Sequence, residues 1–185
     1  MSKKYCGYVS IIGKPNVGKS SIINAILKKK VSITSRKSQT TRNNILGIKT
    51  TDNKQAIFID TPGLHIKSQK TMNKILNKSA QSIIEDSDIV LFVVQRLSMT
   101  EEDHAILSKL KETNPFSICV INKIDQISDK QRLLPFIEKI SDEYNFASII
   151  PISAKTNQNL QDLINKIEEH LPENDHIYDD SFNLT

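Results

Sequence analysis

The run Gly13-Lys14-Pro15-Asn16-Val17-Gly18-Lys19-Ser20 stands between a β-branched apolar segment, Tyr8–Ile12, and a segment with helical spacing, Lys19–Lys29. It matches G-x-x-x-x-G-K-[ST], and the strand before it and helix after it give that pattern its meaning. Gly13 and Gly18 let the backbone wrap closely around phosphate oxygens, and N–H groups at the head of the helix point at the anion. Lys19 is then expected to reach the β- and γ-phosphates, and the Ser20 hydroxyl to ligate Mg2+. Lys14, Pro15, Asn16, Val17 and Ser21 complete the expected nucleotide-binding set of this loop.

Outward from this loop, short apolar runs recur at Tyr8–Ile12, Ile45–Ile48, Ala56–Ile59, Ile89–Val94, Phe116–Ile121 and Ile149–Ile152, each bounded by turn formers. Helical spacing separates most of them, at Lys19–Lys29, Thr71–Glu85, Glu101–Glu112, Asp129–Tyr144 and Leu160–Leu171. Alternating strands and helices predict an α/β, three-layer αβα P-loop NTPase fold whose six-stranded sheet is mostly parallel. The second and third strands are joined only by Lys49–Lys54, so one antiparallel strand is expected at one side of the sheet.

A phosphate loop does not by itself choose a base. Asn122-Lys123-Ile124-Asp125 follows the fifth strand directly, at the carboxyl edge where open α/β sheets bind ligands. Guanine presents two adjacent donors, N1–H and the exocyclic amine, and the Asp125 carboxylate can accept both. Adenine would leave that carboxylate unpaired. The Asn122 amide can tether the base or the neighbouring loops, and the Lys123 stem can lie against the ring. Ser153-Ala154-Lys155, just past the sixth strand, brings small residues and a backbone N–H to the guanine oxygen.

Two further segments read as γ-phosphate sensors. Asp60-Thr61-Pro62-Gly63 closes the third strand, which directs Asp60 to the magnesium and lets the Gly63 N–H approach the γ-phosphate. Ser32–Asn44 is polar and contains Gln39-Thr40-Thr41-Arg42; Thr41, with Thr40 as alternative, is the expected metal ligand once the γ-phosphate draws the loop inward. Leu64 occupies the position where Ras-type enzymes carry a glutamine that orients water, so unassisted turnover is expected to be slow. Asn16 is a candidate ligand for a monovalent cation such as K+; by residue type alone a turn-forming Asn reads equally well.

Bulk properties agree with one domain: 185 residues, 38% of them apolar. The longest apolar run, Ile89–Val94, is too short to span a bilayer, and nothing near Met1 reads as a signal peptide, so a soluble cytoplasmic protein is expected; it is also expected to be a monomer. Cys6 and Cys119 lie in apolar strands without metal-ligand spacing and read as reduced core residues. Residues 1–86 hold 16 Lys/Arg against 4 Asp/Glu, while residues 87–185 hold 9 against 17. The basic half, including Arg36, Lys37 and Arg42, suits nucleotide phosphates or RNA, or forms an ordinary solvated face. From Pro172 onward the chain is acidic, and residues 173–185 read as a linker or frayed end after a domain at 1–172.

In G-K-P-N-V-G-K-S, Ser32–Arg42, D-T-P-G-L-H and N-K-I-D, the chain resembles the Era-type GTPase domains of the TrmE-Era group of translation-factor-class GTPases, from about Tyr5 to Leu171–Pro172. The stretch Ser35-Arg36-Lys37-Ser38-Gln39-Thr40-Thr41-Arg42 singles out that family, because the other motifs are shared across the class. The resemblance implies a GTP/GDP-binding, GTP-hydrolysing switch in small ribosomal subunit assembly, with some association with the inner membrane face. It also implies a C-terminal KH domain that binds small-subunit rRNA through a G-x-x-G loop. The five glycines, at 7, 13, 18, 47 and 63, form no such loop, so an isolated GTPase domain or a shortened homologue is expected. A nucleotide-sensing module that docks on RNA or ribosome, with incidental turnover, is the alternative.

Overall fold

The computed structural model describes residues 3–28, 45–60 and 82–178. Within them the chain runs β1 (Tyr5–Ile12), α1 (Lys19–Lys28), β2 (Ile45–Thr51), β3 (Lys54–Asp60), β4 (Ile89–Gln95), α2 (Glu101–Thr113), β5 (Ser117–Asn122), α3 (Leu133–Glu143), β6 (Ser148–Pro151) and α4 (Leu160–Glu169). The six strands form one sheet in the order β2-β3-β1-β4-β5-β6. Only β2 is antiparallel to its neighbour; β1 pairs in parallel with both β3 and β4, and β4-β5-β6 continue in parallel. The sequence-based fold class therefore holds.

Side chains alternate between two cores because successive strand residues face opposite sides. On one face Val9, Ile11, Phe58, Leu91, Val93, Ile118 and Val120 pack under α1 and α4, meeting Ile22, Ile26, Leu163, Ile164 and Ile167. On the other, Ile12, Val90, Phe92, Val94, Cys119 and Ile121 meet Ile106, Leu107 and Leu110 of α2, and Phe136 and Ile140 of α3. β4 is buried from Ile89 to Val94, as a central parallel strand covered on both faces must be.

The connection from β1 leads toward β3 at one side, whereas β4 leads to β5 at the other, so the crevice between the carboxyl ends of β1 and β4 is a topological switch point. Gly13 enters that crevice with φ +150, and a Cβ there would lie 2.5 Å from the Val93 carbonyl oxygen. Only glycine allows this approach.

Element ends differ from the sequence reading where pairing extends a strand beyond its apolar residues. β1 starts at Tyr5 because Tyr5-Cys6-Gly7 ladder with Lys54-Gln55-Ala56. The β2–β3 turn shrinks to Asp52-Asn53, with Asp52 at φ 43, a conformation that short polar residues tolerate. The helix expected over Asp129–Tyr144 divides: the Asp129 side chain accepts the Gln131 N–H at 3.0 Å over a 3-10 turn, Lys130–Arg132, and α3 proper begins at Leu133. Pro135 sits in the first turn of α3, where its missing N–H costs nothing. Of the helix expected at Thr71–Glu85, residues 82–85 are helical and the rest lies outside the described residues.

The segment after α4 is not loose as far as Tyr178. The Pro172 carbonyl accepts the Cys6 N–H at 3.0 Å, and Asn174 N–H donates to the Lys4 carbonyl at 3.1 Å. Gln55, 1% exposed, holds the end: its Oε1 accepts the N–H groups of Ile177 and Tyr178, both at 3.0 Å, and its Nε2 donates to the Tyr178 carbonyl at 2.8 Å. One buried amide thus supplies the partners that acidic composition alone concealed.

Candidate functional site

The phosphate loop leaves β1 at Gly13 and ends where α1 begins at Lys19, with the Ile22 N–H already bonded to the Gly18 carbonyl at 2.9 Å. Asn16 holds φ 64 and Gly18 φ 100. The Lys19 ammonium donates to the carbonyls of Gly13 at 2.7 Å and Lys14 at 2.9 Å. The positive end of the side chain therefore lies over the loop it is expected to serve. Ser20 and Ser21, in the first turn of α1, are exposed.

The N-K-x-D segment is built into the same unit. Asn122, 2% exposed at the end of β5, donates from Nδ2 to the Val17 carbonyl at 2.8 Å and accepts the Ala154 N–H on Oδ1 at 3.1 Å. Of the two roles open to this amide, its hydrogen bonds serve the tether between loops. Lys123, at φ 64, donates to the Asn16 carbonyl and to Gln95 Oε1, each at 2.6 Å. Its stem thus spans from the base side to the phosphate loop. Asp125 accepts the Ser153 hydroxyl at 2.7 Å, and that hydroxyl in turn accepts the Thr156 N–H at 3.2 Å. Ser153 is fully buried, so it fixes the carboxylate from behind.

These pieces enclose a cleft of about 660 Å³ lined by Gly18, Ser21, Lys28, Asn122, Asp125 and Lys155 among others. A glycine of the phosphate loop and the Asp125 carboxylate therefore face one cavity. Asn24, Ala25, Lys28, Gln126 and Asn157 also line it and were not singled out from the sequence. Periodicity held the signal for three of them: Asn24, Ala25 and Lys28 lie three, four and seven residues beyond Ser21, on its helix face.

Register places Asp60 opposite Ile11, two residues before the loop glycine. The side chain of Asp60, and Thr61, Pro62, Gly63, Leu64, Thr40, Thr41, Arg36, Lys37 and Arg42, lie outside the described residues. The Ser20 hydroxyl, in the first turn of α1, is a hard oxygen of the kind that suits Mg2+, which takes few protein ligands beside phosphate oxygens and water. Among the described residues no trio of His, Cys, Asp or Glu is placed to hold a metal. No helix among them is long and apolar enough to cross a membrane. Both thiols are free; burial raises the Cys6 thiol and pushes the fully buried Cys119 thiol far above the usual range.

A mostly parallel sheet with a phosphate loop at its switch point and the N-K-x-D carboxylate on the same cleft defines a P-loop nucleotide-binding domain. The chain belongs to the 50S ribosome-binding GTPase family, whose sequence model matches residues 8–123. It is 49% identical to "GTPase Era" of Pseudomonas syringae pv. tomato over 173 residues, which is 94% of this chain and 58% of that protein. The crystal structure of a single-site variant of Aquifex aeolicus Era bound to GDP.AlF4- superposes with a TM-score of 0.78 at 37% identity, covering 96% of this chain and 60% of that one. Era in complex with MgGDPNP and nucleotides 1506–1542 of 16S ribosomal RNA gives the same TM-score and identity, with 61% of that chain covered. The chain thus spans about three-fifths of the length of the Era proteins it matches.

Proposed function

We propose that this domain binds GTP and GDP with Mg2+, hydrolyses GTP slowly, and acts as a switch in small ribosomal subunit assembly. The observation that carries the nucleotide reading is the shared cleft, in which Gly18 and Asp125 face one cavity of about 660 Å³. Lys19 and the loop N–H groups would take the phosphates, and Asp125, backed by Ser153, would accept both donors of guanine. The Ala154 N–H is already committed to Asn122, so the Lys155 N–H, on the same cleft, is the proposed backbone donor for the guanine oxygen.

Ser20, Asp60 and Thr41 would hold Mg2+, which supplies charge neutralisation at the phosphates when bound. Thr41 and Gly63 would engage only while a γ-phosphate is present, which makes the pair of loops a switch. Asn16 is the proposed ligand of a K+ ion that would stand in for the missing water-orienting glutamine at Leu64.

The ribosomal role rests on likeness to Era, one structure of which carries 16S ribosomal RNA. The family description names the 50S particle, but identities of 37% and 49% tie this chain to Era. A monomer in the cytoplasm, with peripheral contact at the inner membrane face, completes this reading. Leu64 favours one alternative, a nucleotide-sensing module whose turnover is incidental.

Competition for fluorescently labelled GDP tests the base assignment: unlabelled GDP should displace it, excess ATP should not, and Asp125→Asn should weaken binding at least about tenfold. Equal displacement by ATP would overturn the guanine reading. Single-turnover hydrolysis in potassium against sodium buffer separates the two functional readings, since only a cation-assisted enzyme accelerates.

A further inference from the structure

Lys14, a variable position of the phosphate-loop pattern, carries its charge away from the loop. Its Nζ donates to Asp103 Oδ2 at 2.8 Å and to Thr100 Oγ1 at 3.1 Å, at the head of α2. Asp103 is fully buried and Lys14 is 9% exposed. The same carboxylate oxygen accepts the Thr100 N–H at 2.8 Å and the Thr100 hydroxyl at 2.9 Å, while Oδ1 finds no partner among the described residues.

We propose that Asp103 is a positioning residue for the phosphate loop, acting through Lys14, and that the Lys14 ammonium is not a phosphate ligand. This rests on the nucleotide reading given above. A buried carboxylate without a counter-charge is strongly unfavourable, so Asp103 draws Lys14 to a fixed place. A buried pair of this kind contributes little net stability, because desolvation offsets the attraction, but it fixes geometry closely. What it fixes is the Lys14 carbonyl, which with that of Gly13 receives Lys19 Nζ, at 2.9 Å. Elsewhere the loop is held from the β5 side, the Asn16 carbonyl by the Lys123 ammonium and the Val17 carbonyl by the Asn122 amide. Residue 14 is the point at which the loop is tied to α2, across the sheet from α1.

The test is a double-mutant cycle of Lys14→Met, Asp103→Asn and the pair together, read by labelled-GDP affinity and by single-turnover GTP hydrolysis at saturation. Each single change should weaken affinity and slow hydrolysis by about tenfold or more, the scale on which misplaced supporting groups act. The double variant should be no worse than either single. Lys14→Arg, which keeps the charge and a donor for Asp103, should stay within about threefold of wild type and guards against a folding defect in the Met variant. Lys14→Met should also leave the salt dependence of GDP affinity unchanged, because no phosphate contact is removed. Additive losses, a shallower salt dependence, or hydrolysis unaffected by Asp103→Asn would each overturn the assignment. Binding of labelled GDP by the unaltered protein reports separately on the nucleotide reading, and urea unfolding of the four nucleotide-free proteins reports on the ion pair whether or not that reading stands.

Discussion

Asn122→Ala removes one amide that joins two loops, and its cost can be worked from the contacts. The amide donates to the Val17 carbonyl at 2.8 Å and accepts the Ala154 N–H at 3.1 Å, in a residue only 2% exposed. Truncation strands two backbone groups, each at about 1–3 kcal/mol when water cannot replace the partner. Val17 is fully buried, whereas Ala154 is half-buried and regains some solvent, so the expected loss is about 2–4 kcal/mol. For a chain of this size that lowers the melting temperature by roughly 4–16 °C. Labelled-GDP affinity should fall together with stability, because the amide ties the phosphate loop to the loop beside the base. Asn122→Asp sharpens the test: it keeps the acceptor for Ala154 but sets a carboxylate oxygen against the Val17 carbonyl, so it should be no milder than Ala. Urea unfolding of nucleotide-free protein, followed by GDP titration, measures both effects. An Ala variant within about 0.5 kcal/mol of wild type, or an Asp variant that recovers half the loss, would refute the bridging argument.

Gly18→Ala must place a Cβ 2.2 Å from Asn122 Nδ2 at φ +100, so GDP affinity should drop more than about tenfold in the same titration. Gln55→Leu removes three hydrogen bonds to Ile177 and Tyr178. Hydrogen exchange at those two amides should become fast while the amides of β4 stay protected. Burial raises the Cys119 thiol, so the folded protein keeps its proton after the unfolded chain begins to lose it. Stability should therefore be unaffected by this group below about pH 8.5 and fall above it, by up to about 1.4 kcal/mol per pH unit, with Cys119→Ala flattening the slope in urea titrations.

The sheet was legible because its strands are written as short β-branched runs with loops of fixed chemistry between them. Ile89–Val94 and the phosphate loop between Tyr8–Ile12 and Lys19 needed no tertiary information. What escaped the sequence was whatever depends on a partner far along the chain. Tyr5-Cys6-Gly7 looks too weak to begin a strand until Lys54-Gln55-Ala56 is set beside it. Gln55 reads as one more polar residue, and only folding reveals that its amide seats Ile177 and Tyr178, 122 and 123 residues away. At the site, Gly18, Asn122 and Asp125, marked by residue type, line one cleft, but residue type could not say that Asn122 spends its amide on Val17 and Ala154. Lys14 likewise counts as part of a phosphate pattern in one dimension. Its neighbour Asp103 lies 89 positions off.

β3 carries Asp60 at one end and Gln55 near the other, and between them its residues pair with β1 on one side and with β2 on the other, where a bulge between Ile45 and Gly47 shifts the register. The five residue steps from Gln55 to Asp60 span about 17 Å. So short a girder, braced on both sides over most of its length, resists bending between its ends. A tug on the carboxyl end beside the phosphate loop and a load on Ile177 and Tyr178 are forces on the same stiff beam, felt at opposite tips.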